Sequence, residues 1–223
     1  MGKNCVREVV KSSPERIKKL FVAKPSDEFP SAAVKPKEAL TKLVDSDSHQ
    51  GVVALVEERT TTKLKDFLRE PKDRSTLVML DSIYDPHNLG AILRASECFG
   101  VDAVVWSKNR GADITPAVSK VSVGASELVP LIKVSNLSEA MKQCQKAGYT
   151  AVIADVGPGS QNIQEVEFPD LTLLILGSEG KGVQRLIQQR ADCRVFIPMK
   201  GQIDSLNVSQ AASVILSFIS LKL

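Results

Sequence analysis

Aromatic residues make up only 4% of this 223-residue chain, and histidine occurs twice. No apolar run approaches the ~18 residues that a membrane span needs. Scarce aromatics argue against the broad base stacking that single-strand binders use. With His49 and His87 alone, a histidine-type metal site is not expected. The four cysteines, Cys5, Cys98, Cys144 and Cys193, lack CxxC spacing, which argues against a zinc site or a disulfide framework and fits a reducing compartment. A secretory leader is absent by pattern, because Cys5-Val6 and Val9-Val10 are interleaved with Arg7, Glu8 and Lys11. Internal repeats and low-complexity segments are missing as well.

What remains is the composition of an ordinary globular protein, 43% hydrophobic and 25% charged. The net charge of +3 is unevenly placed. Residues 1–42 carry ten Lys/Arg against five Asp/Glu, while the remainder carries 19 against 21. A basic first segment before a near-neutral body reads either as a nucleic-acid-facing module or as a solvated helix face.

The pattern divides the chain. Residues 1–58 predict a small α+β module, with helices over Cys5–Lys11 and Lys37–Leu43 and strands over Ile17–Val22 and Val52–Val56. Residues 59–75 read as a connector with one short helix, Leu64–Arg69. From Thr76 to the C-terminus, continuous apolar runs at Leu77–Leu80, Ala103–Trp106, Leu128–Ile132, Ala151–Ala154, Leu171–Leu176 and Val195–Ile197 predict strands buried on both faces. Helical segments lie between and after them, at Asn88–Phe99, Ile114–Ser119, Leu137–Ala147, Val183–Arg190 and Val208–Leu221. The expectation is an α/β fold, with a doubly wound parallel-sheet domain over 76–223.

Three segments place polar side chains or glycines where an apolar element ends, which is where parallel sheets build sites. The first is Asp85-Pro86-His87-Asn88-Leu89-Gly90-Ala91-Ile92-Leu93-Arg94. Asn88 suits a helix N-cap. Arg94 falls about 140° from Leu89 on a helical wheel, so it is either a solvated arginine or a guanidinium aimed at a phosphate or ribose hydroxyl. The second segment, Gly177-Ser178-Glu179-Gly180-Lys181-Gly182, holds glycines that imply positive φ or close backbone approach. It is neither a Walker A loop nor GxGxxG, so it fits no common phosphate cradle, and Glu179 suits a cation or a hydroxyl-rich ligand better than phosphate. The absence of GxGxxG after the first strand argues against a nicotinamide oxidoreductase. In the third, Ile197-Pro198-Met199 leads to Ser205-Leu206-Asn207 and Ser209, where Ser205 or Asn207 can cap the last helix.

In this order the three segments resemble the signature motifs of the SpoU (TrmH-like) branch of the SPOUT methyltransferases, over roughly two thirds of the chain. Lys120–Ala125, Leu131–Leu137 and His49-Gln50-Gly51-Val52 are similar to further family segments, the last ending an L30e-like RNA-binding module. The resemblance implies a C-terminal deep trefoil knot, a homodimer and S-adenosylmethionine as cofactor. It also implies methylation of a ribose 2′-hydroxyl, of a guanosine in large-subunit ribosomal RNA, with transfer RNA as the rival substrate. By motif matching, Gly177, Glu179, Gly180, Ile197, Met199, Ser205 and Leu206 would hold the cofactor, and Asn88, Arg94, Glu179, Ser205 and Asn207 form the polar catalytic set. Arg94 would polarise the hydroxyl or work with an RNA phosphate. The N-terminal module is short for the family, with little between Val22 and Lys37, so its RNA specificity can differ. A non-catalytic ribosome-assembly protein of the same fold is the alternative. The expected home is the cytoplasm, or a mitochondrial matrix or plastid stroma after loss of a transit peptide.

Overall fold

The computed structural model describes residues 1–178, 180 and 182–221. The N-terminal segment folds as α1 (Lys3–Ser12), β1 (Ile17–Val22), β2 (Ala33–Val34), α2 (Lys37–Val44) and β3 (Val52–Val56). Its sheet has the order β2-β1-β3, with β1 antiparallel to β3 and parallel to β2. Val6, Val22, Phe29 and Val52 fill one small core and Phe21, Leu40 and Val53 another. His49 is fully buried and satisfied. Its Nδ1 accepts from the Gly51 N–H at 3.0 Å, and its Nε2 lies 3.2 Å from Thr41 Oγ1.

After α3 (Leu64–Phe67), the chain alternates β4 (Ser75–Asp81), α4 (Pro86–Cys98), β5 (Ala103–Ser107), α5 (Pro116–Val121), α6 (Ala125–Leu128) and β6 (Leu131–Val134). It continues through α7 (Leu137–Lys146), β7 (Thr150–Ala154), β8 (Gln161–Asn162), β9 (Leu171–Gly177), α8 (Arg185–Arg190), β10 (Cys193–Phe196) and α9 (Val208–Ser220). Seven strands form one sheet in the order β6-β5-β4-β9-β7-β10-β8, with every pairing parallel. Alternation sorts the side chains by face. Leu77 and Met79 join the core under α7 and α8, while Val78 and Leu80 join that under α4 and α9. Both faces are covered, as the uninterrupted apolar runs require.

Several expected boundaries move for local reasons. Leu128–Ile132 is not a strand: Ala125–Leu128 is helical, and β6 starts only after Pro130, whose missing N–H interrupts regular pairing. The helix expected from Asn88 begins at Pro86, because Asp85 caps it by accepting from the His87 N–H at 2.8 Å. Thr115 likewise starts α5 at Pro116 by accepting from Val118. Helix α8 starts at Arg185, not Val183, after Gln184 has given its N–H to Asp81. The short helix of the connector ends at Phe67, ahead of the expected Arg69. Among the described residues, no helix is long and apolar enough to cross a membrane.

Candidate active site

The site is built where α4 and α9 begin. Leu89, Ile92 and Leu93 of α4 and Ala212, Ile215 and Leu216 of α9 share one buried cluster, which holds the two helices side by side. Their first turns meet: Asn207 Nδ2 donates to Asn88 Oδ1 at 2.9 Å. Because Asp85 is the cap of α4, Asn88 sits inside the first turn and its side chain is not the cap. Asn207 does cap α9, with Oδ1 accepting from the Ser209 N–H at 2.9 Å and the Ser209 hydroxyl at 2.6 Å. Two helix N-termini, each carrying partial positive charge, thus converge on one polar pair.

Arg94 lies six residues further along α4, about 9 Å by helical rise. It is exposed and makes no ion pair or hydrogen bond among the described residues. The wheel geometry that set it off the buried stripe holds. Its exposed guanidinium can take a phosphate in a bidentate fork.

Strand β9 ends beside β4, with Asp81 paired in register to Gly177. A tight turn follows, in which Ser178 and Gly182 exchange backbone hydrogen bonds of 2.8 and 3.1 Å. A Cβ at Gly177 would stand 2.2 Å from the Gly182 carbonyl carbon, so only glycine lets these backbones approach. Gly182 itself adopts φ 63°. Asp81, fully buried, fastens this turn: its carboxylate accepts from the Gln184 N–H at 2.7 Å, from Gln184 Nε2 at 2.6 Å and from the Ser82 hydroxyl at 3.0 Å. Sequence reasoning overlooked Asp81, although an acid closing an otherwise apolar strand was a visible signal. Glu179, expected in both the catalytic and the cofactor sets, lies outside the described residues.

A cavity of about 440 Å³ opens next to this turn. It gathers Gly180, Ile197, Met199, Ser205 and Leu206 of the expected cofactor set, with Val195 and Ile215 behind them. Gly177 does not line it; that residue serves the turn. Ser205 is exposed, its hydroxyl bonded to Asp204 Oδ1 at 3.2 Å. Met199 and Leu206 are each 37% exposed at the mouth, unusual for their apolarity. Asp155 and Val156, which follow β7, also line it and were not anticipated. Their signal was a buried strand ending in Asp-Val-Gly-Pro-Gly. The size lies within the usual small-molecule range of about 300–1,000 Å³. Asp155 is paired with Arg194 at 3.5 Å, and the apolar walls with the Asp204 carboxylate suit a ligand with a flat apolar body and positive charge.

Residues 75–217 match the family model described as the SpoU rRNA methylase family, and residues 1–62 match that for RNA 2′-O ribose methyltransferase substrate binding. The chain is 36% identical to the 23S rRNA (guanosine-2′-O-)-methyltransferase RlmB of Coxiella burnetii, over 96% of this chain and 92% of that protein. It is 34% identical to the RlmB protein of Haemophilus influenzae, over 96% and 94%. Among solved structures, the SpoU methyltransferase AviRb of Streptomyces viridochromogenes in complex with AdoMet superposes with a TM-score of 0.82 at 21% identity, covering all of this chain and 88% of that one. At that identity the likeness speaks for the fold. The sequence matches go further, and by them the chain belongs to the SpoU rRNA methylase family.

Proposed function

We propose that this protein transfers methyl from S-adenosylmethionine to a ribose 2′-hydroxyl of RNA, that of a guanosine in large-subunit ribosomal RNA. The observation that carries this reading is the Asn88–Asn207 pair joined across two helix N-termini, with the adjoining Ser205 and Leu206 lining the 440 Å³ cavity. The relatives in Coxiella burnetii and Haemophilus influenzae, named for guanosine-2′-O methylation of 23S rRNA, supply the substrate class.

The residues present fit the cofactor. Ile197, Met199 and Leu206 offer apolar cover to an adenine and a methionyl chain, and Asp204 offers negative charge to its cationic groups. When bound, S-adenosylmethionine supplies an electrophilic methyl group on a sulfonium. The protein then has to position the ribose hydroxyl and ease its proton loss. Arg94 acts through its guanidinium, polarising the hydroxyl or pairing with the neighbouring phosphate. Asn88, held by Asn207, orients the hydroxyl or the arginine, while Ser205 and Glu179 complete the polar set. Gly177 and Gly180 shape the cofactor turn.

The division we propose is an L30e-like RNA-binding module over 1–58, a connector over 59–75 and a knotted methyltransferase domain over 76–223. The knot and the homodimer follow from the resemblance to the SpoU methylases, whose family model matches residues 75–217. Exposed Lys19, Lys24, Lys37 and Lys42 on the N-terminal segment suit an RNA backbone. The free thiol of exposed Cys98 suits a reducing compartment, the cytoplasm or an organelle interior.

The test is methyl transfer from labelled S-adenosylmethionine to unmodified large-subunit ribosomal RNA and to transfer RNA, read by nucleoside mass spectrometry. 2′-O-methylguanosine from the ribosomal RNA is the expected product. A product from transfer RNA alone would move the substrate, and no product from either, despite cofactor binding, would contradict the reading.

A further inference from the structure

The short connection between β4 and α4 presents an aromatic ring to solvent. Tyr84 is 63% exposed, and no other aromatic residue is exposed among the described residues. Its hydroxyl has no hydrogen-bond partner among them. A single exposed ring is ordinary on a protein surface. What distinguishes Tyr84 is its setting.

The backbone on either side of it is fixed. Ile83 is buried, and its carbonyl accepts from the Ala112 N–H at 2.7 Å. Asp85 caps α4 by accepting from the His87 N–H. Ser82 adopts φ 62° and donates its hydroxyl to Asp81, the residue that fastens the turn after β9. Tyr84 is therefore held outward by neighbours that are already ordered. A tyrosine has few rotatable bonds, so stacking on it sacrifices little further freedom.

Tyr84 also stands beside the proposed active site. It is four residues from Asn88, a reach of at most about 14 Å even for extended chain. Asn88 is thus flanked along the chain by Tyr84 on one side and Arg94 on the other. The loop after β5 emerges at the same sheet edge, because β5 runs parallel beside β4. It carries Lys108 and Arg110, both exposed, whose side chains make no ion pair or hydrogen bond among the described residues. Arg110 adjoins Gly111, where a Cβ would stand 3.0 Å from the Ile83 carbonyl oxygen, so the two loops touch through their backbones.

An aromatic face beside uncommitted cations suits single-stranded RNA, whose bases stack while its phosphates meet the positive charge. We propose that Tyr84 is the platform on which one unpaired base of the RNA substrate stacks, close to the methylated nucleotide, while Lys108 and Arg110 hold nearby phosphates. This rests on the RNA-methyltransferase reading above and adds to it a residue that places the RNA over Asn88. With aromatics scarce elsewhere, it is a single contact and not the row of platforms that non-specific strand binders use.

The test uses the full-length protein and a synthetic, unmodified fragment of large-subunit ribosomal RNA that carries the nucleotide identified by the methylation assay. Anisotropy would give the affinity of the parent, Tyr84→Ala and Tyr84→Phe for this fragment and for versions with one abasic position each. Tyr84→Ala should weaken binding about tenfold, and Tyr84→Phe, which keeps the ring, should restore it. One abasic position should cost the parent the same factor and cost Tyr84→Ala nothing more. Lys108→Ala and Arg110→Ala should each lower the salt slope of binding by about one, without preference among abasic positions. S-adenosylmethionine affinity and melting temperature, measured alongside, should not change in Tyr84→Ala. Parental RNA affinity in Tyr84→Ala, or a loss that adds in full to the loss at every abasic position, would overturn the proposal and leave the methyltransferase reading standing. A parent protein that methylates no RNA would instead strike the reading on which the proposal rests.

Discussion

Asn88 and Asn207, 119 positions apart in sequence, share a 2.9 Å side-chain hydrogen bond that joins the first turns of α4 and α9. One amide does two jobs: its oxygen caps α9 while its nitrogen fixes Asn88. Asn207→Asp separates them, since a carboxylate keeps the cap and loses the donor. The melting temperature should stay within about 2 °C. Methyl transfer should fall by roughly 10²-fold, the scale of a misplaced positioning group. Thermal melting and single-turnover kinetics check both halves.

Asp81 holds the turn that follows β9 through two hydrogen bonds from Gln184 and accepts a third from its neighbour Ser82. Asp81→Asn replaces one acceptor oxygen by a donor that faces other donors. The expected cost is about 1–3 kcal/mol of stability. Cofactor affinity should fall about tenfold while RNA affinity holds. Denaturant unfolding, calorimetry with S-adenosylmethionine and RNA anisotropy would read the three quantities.

At Gly177 a methyl group would run into the backbone of Gly182 and Val183. Gly177→Ala should lose about 1–3 kcal/mol by overpacking and bind the cofactor poorly. Gly201, whose Cβ would meet nothing within 4 Å, provides the contrast. Gly201→Ala should melt like the parent protein, and a matching loss there would argue against the steric explanation.

Burial pushes the thiol of Cys144 up to about 12, from an ordinary value of 9.0. In the unfolded chain the same thiol ionises near 9, so the stability it preserves is complete below that pH and is lost as pH rises toward 12. The loss should reach about 1.4 kcal/mol per pH unit inside that window. Cys144→Ala should flatten that slope in denaturant melts between pH 9 and 11. In labelling below pH 8, exposed Cys98 should react first and Cys144 only on unfolding.

The large sheet was legible because strands buried on both faces leave uninterrupted apolar runs; Val78 and Met79 are adjacent, opposed in direction and both fully buried. The expected bounds of β1 and β3 agree with the structure to the residue. Local apolarity could not reveal Pro130 splitting its run into helix and strand, nor Asp85 taking the cap from Asn88. Strand order lies beyond it too, since β9 sits between β4 and β7 only through long-range pairing. Within the site, the motif residues on the 197–206 segment did gather around one cavity. Asp81 and Asp155 escaped notice because their roles come from neighbours a hundred and about forty residues away, Gln184 and Arg194.

The most direct test of the account is Arg94→Ala, because this exposed side chain makes no ion pair or hydrogen bond among the described residues whose loss would unfold the protein. Single-turnover methyl transfer to unmodified large-subunit ribosomal RNA would be measured beside S-adenosylmethionine affinity and thermal melting. The account predicts a rate lower by roughly 10²–10³-fold, with affinity and melting unchanged. A variant that methylates at the parent rate would contradict it, and the chemistry would have to be sought away from the Asn88–Asn207 pair.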